Sequence, residues 1–338
     1  MYCFPRRATC AGLILLTVFL IGNWNLLWAN DSAAEVAAGG IQLRKEARIS
    51  LENERLTISL DKVTVEYEFL NTTDQDITTE VAFPTPPYEF TPEDAGGIRA
   101  FNDFRVWVDG KKVKCQTEVR AKHKGVDYTR LLSRLGIEIE TFGRFPVPDY
   151  DVNNSQIGKL PKSDQENLTR LGLMTDFGWP GWTVVKTYHW HQVFASKKVL
   201  HVRHEYEPGY GFEPFYLVDS LKQISAPCKN TALETKLRAE SDMYTKTRRD
   251  GTAPLIHVSW VKYILTTAKS WKTPIKDFEL IVEKPKRWGP GPKPKFLGTR
   301  VCWDGEVRPA DDNRVVAKRF NYIPAMELAV YFFEDYNR

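Results

Sequence analysis

The most constraining feature of this sequence is a recurring alternation of apolar and polar residues in short segments separated by turn-forming residues. Leu56, Ile58 and Leu60 alternate in this way, and a second such segment covers 63–69. A period of two places apolar side chains on one face of a β-strand, whereas an amphipathic helix repeats every three to four residues. Further strands are predicted at 77–83, 104–108, 113–119, 183–194, 199–206, 256–266, 278–283, 298–303, 314–320 and 328–333. The chain is therefore predicted to be all-β.

Helical spacing is limited to a few short stretches. Tyr128, Leu131 and Leu135 recur at helical intervals. Ser163, with Glu166 three residues later, has the spacing of a capping box, which predicts that a second short helix begins there. A third short helix is predicted at 233–237.

The order of these elements predicts the domain organisation. Strands fill the first and last parts of the chain, and loops with short helices lie between them. We expect an N-terminal antiparallel β-sandwich at 30–145 and a C-terminal antiparallel β-sandwich at 179–338. A loop and short-helix connector at 146–178 joins them.

The N-terminus has the features of an export signal. Arg6 and Arg7 precede an apolar run at 11–21 that is too short to cross a bilayer, and Ala29 offers the small residue that a signal peptidase requires. We expect a signal peptide at 1–29, a periplasmic or secreted protein, and no transmembrane anchor after cleavage. The alternative is an uncleaved anchor that extends through the apolar residues after 21.

Charge and cysteine content limit the partners and the compartment. Without Arg6 and Arg7, the chain has 45 Lys and Arg residues against 43 Asp and Glu residues, and this near-neutral balance predicts no nucleic-acid partner. The expected mature chain retains three cysteines. An exported protein can form a disulfide, and Cys228 with Cys302 is the predicted pair because both lie in the C-terminal half. Cys115 is then a buried thiol, or it pairs in place of one of the other two.

Several short sequences resemble a known bacterial family. They are Asn30-Asp31-Ser32, Gly39-Gly40-Ile41, Tyr67-Glu68-Phe69, Val81-Ala82-Phe83-Pro84, Tyr188-His189-Trp190, Arg203-His204-Glu205-Tyr206 and Trp271-Lys272-Thr273-Pro274-Ile275. Together they resemble the secreted family known as domain of unknown function 4424, over nearly the whole expected mature chain. The resemblance implies export and an all-β fold, and it implies no activity, cofactor or catalytic residue.

A group of histidines suggests a metal site. If 183–194 and 199–206 form a hairpin across 196–198, then His189, His191, His201 and Glu205 share one face of it. Imidazole and carboxylate groups within cross-strand reach are ligands for zinc or copper. The alternative is an ordinary polar face, in which these residues are only cross-strand neighbours.

A basic and aromatic segment near residue 290 is a candidate binding loop. Lys286, Arg287, Trp288 and Lys293 lie among prolines, so they could contact an anionic envelope polymer or a lipid head group. The alternative is a solvated loop.

The motifs of common enzymes are absent from the sequence. There is no phosphate-binding glycine loop, no paired-histidine metalloprotease helix and no nucleophile elbow. We therefore predict an exported, non-catalytic protein that binds an envelope protein or a cell-wall polymer. A metal-dependent hydrolase centred on the four metal-ligand candidates is one alternative, and a structural component of an envelope assembly is another.

Overall fold

The computed structural model describes residues 32–37, 40–90, 97–99, 101–140, 155–215, 228, 230–247, 256–286 and 294–335. Strands account for 53% of the structure and helices for 15%, which confirms the all-β prediction. The predicted signal peptide at 1–29 lies outside the described residues, as do Arg287, Trp288 and Lys293 of the predicted binding loop. Among the described helices, none is both long enough and apolar enough to cross a membrane.

The strands and helices follow one another along the chain with few long gaps. The first ten strands are β1 (Ser32–Ala37), β2 (Gly40–Arg44), β3 (Ile49–Ile58), β4 (Val63–Asn71), β5 (Ile77–Pro84), β6 (Tyr88–Glu89), β7 (Gly97–Arg99), β8 (Asn102–Val108), β9 (Lys111–Val113) and β10 (Gln116–His123). The others are β11 (Val126–Asp127), β12 (Thr183–Phe194), β13 (Val199–Glu207), β14 (Tyr210–Phe215), β15 (Ile256–Tyr263), β16 (Ile275–Glu283), β17 (Lys295–Cys302), β18 (Arg308–Asp311), β19 (Arg314–Tyr322) and β20 (Leu328–Asp335). The helices are α1 (Thr129–Arg134), α2 (Lys162–Arg170), α3 (Thr231–Thr247) and a 3₁₀-helix at Thr266–Ser270.

The strands form three sheets. The eight-stranded sheet has the order β18-β19-β16-β3-β4-β13-β8-β9, and the five-stranded sheet has the order β17-β20-β15-β14-β7. The seven-stranded sheet has the order β11-β10-β12-β5-β1-β2, with β6 also paired to β12. Among the described strands, pairing is antiparallel except between β3 and β16, which run parallel. Strands from both predicted domains, 30–145 and 179–338, therefore share the eight-stranded sheet.

One large core lies between the eight-stranded sheet and the two smaller sheets. Phe69 of β4 packs edge-on against Phe194 of β12, with ring centroids 6.0 Å apart. On the same strand, the hydroxyl of Tyr67 lies 3.0 Å from the hydroxyl of Tyr263 on β15. Both smaller sheets therefore cover the inner face of the eight-stranded sheet, and its outer face carries the polar side chains of its strands.

A second core lies where α1 and α2 cover one end of the seven-stranded sheet. Leu132 of α1 and Leu168 of α2 are fully buried there with Trp182. The predicted capping box was wrong: α2 begins at Lys162 after Pro161, and no side chain caps it. Proline fixes its own φ near the value of a helix start, so the helix begins one residue earlier than Ser163.

Helix α3 covers the outer face of the five-stranded sheet. Leu233 and Leu237 pack against apolar residues of β15, β17 and β20. Leu233 fits closely because Gly298 faces it, and a Cβ atom on Gly298 would lie 2.6 Å from the leucine Cδ1 atom. A disulfide joins Cys228, three residues before the helix, to Cys302 at the end of β17, as predicted. Cys115 is partly buried against the large core.

A buried carboxylate precedes β3. Glu46 is 8% exposed and accepts hydrogen bonds from Nε and Nη2 of Arg48 at 2.8 and 2.7 Å. These bonds hold the pKa of Glu46 below its ordinary value of 4.5. A carboxyl with a lowered pKa stabilises the fold above its unfolded pKa, and that stabilisation is lost as the pH falls through the folded pKa.

We therefore expect the free energy of unfolding of the wild type to fall more steeply below pH 4.5 than that of Glu46→Gln. The difference should stay under about 1 kcal/mol, because solvent screens the charge of the exposed Arg48. Urea unfolding of both proteins over an acidic pH series measures it. Equal slopes for the two proteins would contradict the assignment.

Candidate binding groove on the eight-stranded sheet

The outer face of the eight-stranded sheet carries polar side chains because its strands alternate. Val65 and Tyr67 of β4 point into the core and are at most 2% exposed, whereas Glu66 and Glu68 point outward. On β8, the buried Val106 is followed by the half-buried Trp107 on the outer face. The outer face around β4 and β8 is therefore polar, with the indole ring of Trp107 among the polar side chains.

The strand register brings opposite charges side by side across this face. Glu279 on β16 lies opposite Arg55 on β3, and Arg55 lies opposite Glu66 on β4. Continuing along the same row, Glu66 lies opposite Arg203 on β13, and Arg203 lies opposite Trp107 on β8. Opposite charges at cross-strand positions attract each other, and the Nε atom of Arg55 lies 3.2 Å from a carboxylate oxygen of Glu279.

A groove with a volume of about 410 Å³ runs along this row. Its lining combines an amide, two carboxylates, an imidazole, two guanidinium groups and the indole ring. The lining residues are Asn53, Arg55, Glu66, Tyr67, Glu68, Trp107, Gly110, His201, Val202 and Arg203. The groove therefore offers hydrogen-bond donors and acceptors of both charges beside one flat apolar surface.

Ion pairs with one buried carboxylate fix the arginines around the indole ring. The guanidinium carbons of Arg203 and Arg105 lie 5.3 and 5.8 Å from the centroid of Trp107, within cation–π range. Glu205 accepts a hydrogen bond from Arg203 and lies 3.6 Å from Nη2 of Arg105 and 3.5 Å from Nζ of Lys62. The side chain of Glu205 is only 10% exposed. Glu205 thus positions the basic residues beside the groove.

His201, one of the predicted metal ligands, lines the groove. Its side chain is 63% exposed, and Nδ1 lies 3.7 Å from a carboxylate oxygen of Glu68. Its backbone is held by the β8–β9 turn, where Asp109 Oδ1 accepts a hydrogen bond from the His201 amide at 3.0 Å. Asp109 and Gly110 both have positive φ values, as a tight hairpin turn between β8 and β9 requires.

The predicted hairpin between 183–194 and 199–206 was wrong. β12 pairs with β5, β6 and β10 in the seven-stranded sheet, and β13 pairs with β4 and β8 in the eight-stranded sheet. The linker at 195–198 crosses from one sheet to the other, so the inward residues Trp190 and Leu200 meet across the core. The outward histidines of β12 and β13 consequently lie on opposite sides of the molecule.

His189 and His191 have a different partner from the one predicted. The Nδ1 atoms of His189 and His191 lie 2.5 and 2.8 Å from the two carboxylate oxygens of Glu80 on the neighbouring strand β5. Glu80 is 7% exposed, so the two imidazoles occupy both of its oxygens. The structure does not bring His189 and His191 to His201 and Glu205. In the described part of the chain, no group of three or more His, Cys, Asp or Glu residues has metal-binding geometry.

Of the predicted binding loop, Lys286 is described. Its ammonium group is 81% exposed, and it lies 3.9 Å from a carboxylate oxygen of Glu283. This contact is an exposed ion pair and contributes little to stability.

Several groove residues were missed by the sequence analysis. Glu66 and Trp107 each stand at an outward position of a predicted strand, and Arg55 directly precedes the alternating segment that starts at Leu56. The alternation itself therefore contained a signal for them. That signal was incomplete, because the alternation does not tell which strands become neighbours. Only the pairing β16-β3-β4-β13-β8 brings these side chains into one row.

Comparisons with known proteins identify a family. A search of curated proteins found no match. Among solved structures, the chain is similar to one from Legionella pneumophila described as a "putative nutrient binding protein", with 13% identity, 90% of this chain and 71% of that chain covered, and a TM-score of 0.38. At this TM-score the likeness carries no argument about function. The family profile described as domain of unknown function (DUF4424) matches residues 29–330. The chain therefore belongs to the DUF4424 family, as its sequence resemblance had indicated.

Proposed function

We propose that this protein is exported and acts by binding, without catalysing a reaction, and that the groove beside Trp107 binds the sugar portion of a cell-wall polymer. The observation that carries the proposal is the composition of the groove. A half-buried indole ring lies beside amide, carboxylate and guanidinium groups in a cavity of about 410 Å³. This volume is within the range of about 300–1,000 Å³ of small-molecule sites.

A saccharide ring matches these groups chemically. Its C–H face is apolar and packs on an indole ring, while its hydroxyls both donate and accept hydrogen bonds. Asn53 can serve a hydroxyl in both directions, Glu66 accepts, and Arg203 donates. The balanced charge of the lining favours an uncharged or zwitterionic ligand over a polyanion, because a polyanion would meet Glu66 and Glu68.

Export and binding fit together. The sequence begins with a predicted signal peptide, and a disulfide such as Cys228–Cys302 persists in oxidising compartments. Cell-wall polymers and envelope proteins are the ligands present there. The groove lining supplies hydrogen-bonding groups and a flat apolar surface, so binding is the activity that it supports best.

We expect Trp107→Ala to weaken binding of soluble peptidoglycan fragments to the mature chain by at least about tenfold, equal to about 1.4 kcal/mol. The reason is the loss of the flat apolar surface against which a sugar ring packs. Isothermal titration of wild type and variant measures the affinity, and circular dichroism checks the fold.

Trp179→Ala is the matched control. Trp179 is also partly exposed, but it stacks on Phe177 at 5.1 Å in a loop outside the groove. The affinity of Trp179→Ala for the peptidoglycan fragments should equal that of the wild type. If the fragments do not bind, or if both variants bind as well as the wild type, the groove is not a glycan site. Binding of a purified envelope protein at the groove would instead support the alternative that the ligand is a protein.

A further inference from the structure

A second pocket lies at the end of the eight-stranded sheet. Of the strands that line the groove, only β3 is close in sequence to residues that line this pocket. The pocket has a volume of about 190 Å³ and forms where the residues before β3, the 3₁₀-helix and the ends of β16 and β19 meet. Its lining residues are Lys45, Ala268, Lys269, Trp271, Lys272, Thr273, Pro274, Ile275, Tyr322, Ile323 and Pro324. The pocket shares no lining residue with the Trp107 groove.

Three lysines line this pocket, and no acidic residue does. Within the described residues, none of Lys45, Lys269 and Lys272 makes an ion pair, and the ammonium group of Lys272 donates to the hydroxyl of Thr72 at 2.9 Å. Nearby Lys276 differs, because its ammonium group lies 2.6 Å from a carboxylate oxygen of Glu52. Three like charges around one small pocket repel each other, and a bound anion would remove that repulsion.

The floor of the pocket is apolar and contains a buried hydroxyl. Trp271 and Ile275 are at most 2% exposed and form the floor. The Oγ1 atom of Thr273 is buried and has no hydrogen-bond partner among the described residues. An apolar floor lowers the local dielectric constant, which strengthens an ion pair formed above it.

These features together favour a compact anion with several oxygen acceptors. A phosphate group carries up to two negative charges and offers tetrahedrally arranged oxygens, which suits three lysines better than a single carboxylate does. The volume is below the range of about 300–1,000 Å³ that holds drug-sized ligands, so only a small group can enter.

We propose that the pocket lined by Lys45, Lys269 and Lys272 binds a phosphate group. The group is carried either by a small soluble phosphate ester or by the head group of an anionic phospholipid. In both cases the ammonium groups of the three lysines balance the charge of the phosphate. Ile323, which is 59% exposed at the rim, contacts the organic part of the ligand.

Two measurements on the mature chain distinguish the two sources. Isothermal titration with glycerol phosphate tests the soluble ester, and co-sedimentation with phosphatidylglycerol vesicles, against phosphatidylcholine vesicles, tests the head group. Binding in the titration assigns a soluble ester, and binding to phosphatidylglycerol vesicles alone assigns the lipid. Added salt should weaken either interaction, because it screens exposed charges.

The variants test the site itself. Replacing Lys45, Lys269 and Lys272 together by alanine should weaken binding at least about tenfold. Lys276→Ala is the matched control and should leave the affinity unchanged, as should Trp107→Ala, because the proposal is independent of the groove. Circular dichroism verifies that the triple variant is folded. The proposal is overturned if neither probe binds, if the triple variant binds like the wild type, or if Lys276→Ala weakens binding equally.

Discussion

Replacing Glu234 by alanine should lower the free energy of unfolding by about 3 kcal/mol, because it leaves the charge of Arg300 buried without its partner. The side chain of Arg300 is 2% exposed, and its Nη2 atom lies 2.9 Å from a carboxylate oxygen of Glu234. The guanidinium carbon also lies 5.9 Å from the ring of Phe333. The effect should be at the low end for a buried pair, since Glu234 itself is 30% exposed.

The measurement is urea unfolding followed by circular dichroism. Glu234→Gln keeps a hydrogen-bond acceptor for Arg300, so we expect it to lose less stability than the alanine variant. The double change Glu234→Leu with Arg300→Met removes both charges and should recover most of the loss, because no unpaired charge is left in the core.

Glu240→Ala is the matched control on the same helix. Glu240 pairs with Lys295, whose side chain is 47% exposed, so its ammonium group stays solvated when its partner is removed. This variant should cost less than about 1 kcal/mol. An equally small cost for Glu234→Ala would show that Arg300 is solvated or otherwise compensated in solution, and would refute the assignment of Glu234 as its essential partner.

The sequence predicted the strands well because the alternation is a local property. β4, with Val65 and Tyr67 inward and Glu66 and Glu68 outward, is the kind of half-buried strand that a period of two describes. Its neighbours could not be predicted in the same way, because any strand with an apolar face can pair with many others. The parallel pairing of β3 with β16 joins segments that are more than 200 residues apart in the chain.

The error at the 195–198 linker has a specific physical cause. A four-residue connection with polar residues fits a hairpin, and the alternation on both sides fits a hairpin as well. In the structure the linker is tied to the neighbouring connection between β4 and β5. The side-chain amide of Asn71 donates to the backbone oxygen of Phe194 at 2.8 Å, and the Ser196 amide donates to Asp76 Oδ1 at 2.8 Å. These contacts between distant residues are not encoded in a local pattern.

This error accounts for the outcome of the predicted metal site. The alternation correctly placed His189 and His191 on one face of a strand, and His201 and Glu205 on one face of another. Whether the four residues meet depends on whether the two strands pair with each other. Because β12 and β13 belong to sheets that pack through their inner faces, the two outward sets are separated by the core. The same arrangement places His201 beside Trp107, in the groove for which we propose a binding role.

The disulfide is the other feature whose removal should have a large effect. Replacing Cys228 and Cys302 by serine should lower the free energy of unfolding by about 4 kcal/mol, since the bond closes a loop with a sequence separation of 74 and restricts the unfolded chain. Cys228 is 8% exposed and Cys302 is 4% exposed, so the bond also ties the segment before α3 to the end of β17.

Thermal and urea unfolding of the oxidised wild type, the reduced wild type and the double serine variant measure this effect. Reduction should destabilise the wild type and leave the double variant unchanged. Cys115→Ser is the matched control and should cost much less, because Cys115 is only partly buried and closes no loop. If the double variant is as stable as the oxidised wild type, the apolar contacts of Leu233 and Leu237 and the Glu234–Arg300 pair suffice to hold α3. If the predicted loss is observed, the fold depends on an oxidised cysteine pair, as expected of a protein that functions outside the reducing cytoplasm.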